Sequence, residues 1–193
     1  MGFLAVIFFC VGLSGSSQED ASTIQSGAWG VARENGNTTY VGLYSVYNEE
    51  WDNEVIKFAD CSDTVKMCSE CEDVYEPVLA LLVLAFICSV VGVGVQTMRI
   101  TTENENLIVG AVAAYLLAFS FGVAGVASFS PCSDAAEDTY PNYEGGVGFS
   151  LSLCASVITL MSGAFSIADW EECMRPKDMI PIDQVEMVEN NSA

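Results

Sequence analysis

Residues 78–98, 107–129 and 147–168 each run for more than twenty positions without a single charged side chain. At 1.5 Å of rise per helical residue, each stretch crosses the roughly 30 Å hydrocarbon layer of a bilayer. No backbone N–H or C=O can stay unpaired in lipid, and none of the three stretches alternates apolar with polar residues as barrel strands do. Each therefore reads as a transmembrane helix, and the lipid bilayer is the first expected partner.

Little of the 193-residue chain remains for a separate soluble domain, so one compact membrane domain is expected. The largest polar stretch, residues 16–77, is long enough for a small sheet but marginal for an independent core, so it should lean on the helices. The formal charge of −20 is concentrated there, with 13 acids against Arg33, Lys57 and Lys66. Residues 130–146 add Asp134, Glu137, Asp138 and Glu144. Phosphate contacts need clusters of lysine and arginine, so nucleic acid is excluded as a partner.

Basic residues flanking short loops stay on the cytoplasmic side. Arg99 lies in the short link after residue 98, and Arg175 and Lys177 follow the last stretch. That puts the link and the C-terminal tail inside and both longer loops outside, most simply at the plasma membrane. Asn37-Thr38-Thr39 is a glycosylation acceptor that is usable on the outer side only. Residues 2–15 are apolar for about 14 positions, short for a span and close to a signal-peptide core. Three readings stand open: a cleaved signal, a short retained first helix, or a chain that begins partway into that helix.

Of eight cysteines, Cys10, Cys88 and Cys154 fall in apolar stretches, where they read as small buried hydrophobes, and Cys173 follows the last one as a candidate for acylation. Cys61, Cys68, Cys71 and Cys132 all lie in the outer loops, an even number in an oxidising compartment, and read as two disulfides. Zinc is the weaker reading, because Cys68 and Cys71 have no second pair and the chain has no histidine. Four cysteines allow three pairings. Cys61 with Cys71 and Cys68 with Cys132 would staple a hairpin and tie the two loops together. Within the first loop, residues 38–47 and 55–59 are rich in β-branched and aromatic side chains and read as a meander of short strands. Trp29, Tyr40, Tyr44, Tyr47, Trp51 and Phe58 should supply its apolar face and its seat at the membrane interface.

Trp29, then Gly42-Leu43-Tyr44, then Cys61 and Cys71 ahead of a spanning helix resemble the first extracellular loop of the claudin and PMP22-like tetraspan superfamily. Tyr44 stands where that pattern has Trp, the gap from Tyr44 to Cys61 is long, Cys68 and Cys132 are extra, and the chain ends Asn191-Ser192-Ala193. The resemblance covers the chain in order and implies a membrane all-α fold. Its parts are a four-helix transmembrane bundle with a short first helix and a small antiparallel extracellular β-sheet. Residues 1–15 would be a retained first helix, 16–77 and 130–146 the outer loops, and 169–193 the cytoplasmic tail. It also implies the Cys61–Cys71 disulfide, and acids on the first loop that line or flank a cation-selective space between cells.

Gly110, Ala114, Ala118 and Gly122 recur every four residues, as do Gly148, Ser152 and Ser156. Lipid gives helices no hydrophobic reason to meet, so small residues that let backbones approach read as packing seams, within the chain or in a homo-oligomer. No ionisable residue lies deep in a span, with Glu103, Glu105 and Asp169 at the ends, which argues against a self-contained pump or channel. Nor is there a nucleophile beside a base, a phosphate loop or a metal-site spacing, so no enzyme, cofactor or metal is expected. Acids at Glu49, Glu50, Asp52 and Glu54, and at Glu70, Glu72, Asp73 and Glu76, give the outer surface a negative field or simply a solvated face. The expected function is adhesive or structural assembly through these stapled acidic loops, the alternative an auxiliary subunit packed against another membrane protein.

Overall fold

The computed structural model describes residues 1–16, 20–34, 36–50, 54–61, 66–102, 107–140 and 142–174, with side chains through Asp169. Trp51, Asp52, Glu103, Glu105, the side chain of Cys173 and the tail from Arg175 lie outside the described residues.

The fold is mostly helical, with a small antiparallel sheet at one end. In chain order it runs α1 (Gly2–Ser14), α2 (Ala21–Ser26), β1 (Gly30–Glu34), β2 (Asn37–Val41), β3 (Ser45–Asn48), β4 (Val55–Lys57) and α3 (Phe58–Cys61). It continues with α4 (Lys66–Thr102), α5 (Leu107–Ser128), α6 (Ser130–Thr139), β5 (Tyr143–Gly145) and α7 (Val147–Met174). Among the described residues, three helices are long and apolar enough to cross a membrane, those built on α4, α5 and α7. They mark the chain as a membrane protein. The shorter α1 packs against α4 and α7.

Helix α4 begins twelve residues before the apolar stretch expected from the sequence, taking residues 66–77 out of the predicted loop. Met67, Cys68, Cys71 and Val78 recur on one buried face while Asp73 and Glu76 stay exposed, so the charges that made this segment read as loop ride the wet side of a continuous helix. Pro77 sits inside α4 with its side exposed. The extension raises a pillar about 18 Å beyond residue 78. Residues 130–139, also read as loop, form α6, with Pro131 in its first turn and Cys132, Ala135 and Ala136 buried on one face.

The sheet order is β4-β3-β2-β1-β5, antiparallel throughout. The predicted meander is present and is extended by two strands the composition did not announce, β1 and β5. Glu34 pairs with Asn37, so two residues close the β1–β2 hairpin, and Gly36 at φ +91° takes a conformation that other side chains resist. β5 adds to the outer edge of β1, where Gly30 faces the Tyr143 ring; a Cβ at Gly30 would meet the Tyr143 hydroxyl at 2.1 Å. The sheet has no core of its own. Ala5 and Phe9 of α1, Val41, Leu43 and Val46 of the sheet, Val78 and Leu82 of α4, and Cys132 and Ala136 of α6 belong to one buried cluster.

The small-residue stripes meet inside the chain. A Cβ at Gly122 would strike the Ser156 hydroxyl at 2.2 Å, and one at Gly12 would strike that of Ser152 at 2.1 Å. Ser152 and Ser156 are fully buried and donate to the carbonyls of Gly148 and Ser152, so their polarity is absorbed by their own helix. Ala114 and Ala118 are buried on the same face of α5 as Gly122. Gly110 does not belong to the seam: it is exposed, and a Cβ there would touch only Val95 at 3.6 Å. Replacing the fully buried Ala118 with Leu should overpack the seam and cost about 1–3 kcal/mol. A lower melting temperature in detergent checks this, with Gly110→Ala as a near-neutral control.

Candidate interaction site: the cap and its joint to the helices

The sheet, α2, α3, α6 and the start of α4 form a cap over the end of the helices where α1 finishes and α7 begins. The last carbonyls of any helix lack partners within it. Here the cap supplies them. The indole N–H of Trp29 donates to the Gly12 carbonyl at 2.8 Å, and the backbone N–H of Leu43 donates to the Gly15 carbonyl at 2.8 Å.

Trp29 is therefore a joint and not an interfacial anchor: it is fully buried, with its ring edge-on to Phe129 at 5.0 Å and to Phe149 at 5.9 Å. Bare backbone beside it makes room. A Cβ at Gly15 or at Gly148 would come within 2.9 Å of the Trp29 ring. Gly42 turns the chain between β2 and β3 so closely over α1 that a Cβ there would meet the Gly15 carbonyl oxygen at 2.6 Å. Leu43 drops into the core, and Tyr44, half-buried, packs edge-on against Tyr75 of α4 at 4.8 Å. Trp29, Gly42 and Leu43 thus tie the cap to the end of α1, and Tyr44 ties it to the flank of α4. Phe129, Phe149, Gly12 and Gly15 complete the joint and were not singled out from the sequence, because each lies in an apolar run where its neighbours look alike.

All four outer cysteines are bridged, but not in the expected pairs. Cys61 joins Cys68, and Cys71 joins Cys132. The correction follows from α4. Cys68 lies in its first turn, next to the end of α3 where Cys61 sits. Cys71 is one turn further along the same buried face, where α4 packs on α6 and meets Cys132. The link that ties the two loops together therefore leaves from Cys71. Cys10 and Cys154, expected to be buried, are exposed on their helices, and Cys88 is half-buried.

The outer surface of the cap is acidic. Glu49, Glu50, Glu54, Asp73 and Glu76 are exposed, whereas Glu70 and Glu72 are half-buried. Among the described residues, no group of three or more acids and cysteines is placed to hold a metal. The ion pair of Lys66 with Asp138, 3.5 Å apart and open to solvent, links α4 to α6 weakly. Asn37 opens β2 half-buried, its amide donating to the Glu50 carboxylate. Asp20 caps α2 by accepting from the Ser22 and Thr23 hydroxyls and the Ser22 N–H, and these bonds, led by the Ser22 hydroxyl, hold its carboxyl below the ordinary range. Burial pushes the Tyr143 hydroxyl up to about 12, so it stays protonated and neutral in the cap. No family model matches the chain, and no curated protein matches it.

Proposed function

We propose that this protein is a claudin-like tetraspan of the plasma membrane, with α1 retained as a short fourth span, the cap outside and the tail in the cytoplasm. It is a non-enzymatic adhesive or structural protein that makes its contacts through the stapled acidic cap. The observation that carries this reading is the joint: Trp29 and Leu43 donate to carbonyls at the end of α1, which fastens the cap to the helices that carry it. The exposed acids Glu49, Glu50 and Glu54, in the connection between β3 and β4, and Asp73 and Glu76 of α4 then meet a basic partner or gather cations between cells. A glycan on Asn37 suits an outward cap.

Cells that express the protein, mixed with cells that do not, test this directly. Adhesion predicts enrichment at contacts between two expressing cells and none at mixed contacts; equal distribution over the whole surface would overturn it. A second reading, an auxiliary subunit, is favoured by one feature, an apolar groove of about 320 Å³ on the lipid side lined by Ile108, Val109, Val112, Leu116 and Ile167. A multispan protein recovered with it in fixed stoichiometry from mild detergent would support that reading instead.

A further inference from the structure

The β1–β2 hairpin gathers polar side chains on one face. Residues opposed across a ladder, and those two apart along a strand, point the same way. The pairs Glu34 with Asn37, Ala32 with Thr39 and Thr39 with Asn48 therefore set Glu34, Asn37, Thr39 and Asn48 side by side. At Val41 and Val46 this face belongs to the buried core. Toward the hairpin tip it opens instead into a groove of about 160 Å³, lined among the described residues by those four polar side chains, Glu50 and Tyr140, the residue that ends α6. About 150 Å³ is room for one six-membered ring. The Asn48 amide donates to the Thr39 hydroxyl at 2.7 Å, the Asn48 side-chain carbonyl accepts from the Glu50 N–H at 2.8 Å, and the Asn37 amide donates to the Glu50 carboxylate. Burial first, and the Glu34 carboxylate second, push the Tyr140 hydroxyl above its ordinary range, so it stays a donor.

Asn37 is also the acceptor of the Asn37-Thr38-Thr39 sequon. N-linkage replaces one of its two amide hydrogens and leaves the other, so a modified Asn37 can keep its bond to Glu50. The sugar ring then starts at the groove itself. Two carboxylates and one hydroxyl donor suit a group rich in O–H, as a sugar is. We propose that the first N-acetylglucosamine of a glycan on Asn37 lies in this groove and braces the hairpin against the end of α6. Its hydroxyls donate to the Glu34 carboxylate, and its acetamide carbonyl accepts from the Tyr140 hydroxyl. Such a glycan requires the outward cap proposed above. It is attached when the Asn37 amide nitrogen bonds to the anomeric carbon of a lipid-linked oligosaccharyl pyrophosphate. The bond from that carbon to the pyrophosphate oxygen breaks, the lipid pyrophosphate leaves, and the amide gives up one proton. Thr39 is 4 % exposed with its hydroxyl engaged by Asn48, so this transfer precedes closure of the sheet.

The test compares two forms of the full chain in detergent. One comes from cells that attach high-mannose N-linked glycans and is trimmed with endoglycosidase H to a single N-acetylglucosamine; the other is made while glycan transfer is blocked. Peptide mapping should place the sugar on Asn37, and the one-sugar form should melt about 2–4 °C higher, the shift that one hydrogen bond makes in a chain of this size. Tyr140→Ala and Glu34→Ala, each made in both forms, should at least halve that gap. Because the gap is read within one sequence, a general loss of stability in either variant cancels. Equal melting with and without the sugar, or a gap that neither variant reduces, overturns the seat and leaves the outward cap standing. An unmodified Asn37 overturns it too, and protease added from either side of the membrane then separates the two conclusions: a cap cut from outside keeps its orientation, whereas a cap cut only from the cytosol loses that as well.

Discussion

Trp29→Ala should be the most damaging single substitution in the chain. It deletes a fully buried indole held between Phe129 and Phe149, a change that costs about 3–5 kcal/mol in a packed interior. It also strips the Gly12 carbonyl of the indole N–H that donates to it, adding about 1 kcal/mol. Denaturant titration in detergent should show the loss, and proteolysis of the cap should quicken while the helices stay protected. Trp29→Phe separates the two contributions, since it keeps an aromatic ring and removes the N–H, and should retain most of the stability. A Trp29→Ala protein as stable as the parent would mean that the cap is held by something other than this joint.

The second large effect belongs to the Cys71–Cys132 bridge. It closes a sequence separation of 61 residues, against 7 for Cys61–Cys68. In the chain-entropy account, the longer loop makes it worth about 4 kcal/mol and the shorter one about 2.5 kcal/mol. Cys132→Ala should therefore lower stability clearly more than Cys61→Ala, and reduction of the native protein should match the sum of the two. Non-reducing peptide mapping checks the pairing first. Cleavage after Glu70 separates Cys68 from Cys71, so the Cys61 peptide should be found with Cys68 and the Cys132 peptide with Cys71. Recovery of a Cys61–Cys71 peptide would contradict the fold of α4 and the joint built on it.

That pairing also shows where sequence reading stops. The four bridged cysteines were legible from their number and their place in the outer loops. Their partners depended on whether residues 66–77 are helix, because only a helix sets Cys68 and Cys71 on one face a turn apart. The signal was present in Met67, Cys68, Cys71, Val74 and Val78, but four acids and Pro77 in the same stretch masked it. Residues 130–139 were misread for the same reason, their buried Cys132, Ala135 and Ala136 being outvoted by three acids. β1 and β5 escaped because Gly30 and Gly145 are poor strand formers; they pair only because each lies beside a strand already in place.

The motif residues present the opposite case. Trp29 and Gly42-Leu43-Tyr44 were picked out by their pattern, and Trp29 was expected at the membrane interface, not buried against a helix end. The structure supplies the reason: two donors and one bare glycine are what the unpartnered end of α1 requires.

Long uncharged stretches are enough to dictate helices in lipid, since backbone groups there have no alternative partner, and a local rule of that strength can be read from the chain without coordinates. Small residues at four-residue intervals likewise announced seams, and Gly122, Ser152 and Ser156 occupy them, while Gly148 meets the Trp29 ring of the cap instead. Which cysteine meets which, and which small residue stays out of the seam as Gly110 does, are matters of contact between segments far apart in the chain. Those contacts exist only once the helices have packed, and no local preference encodes them.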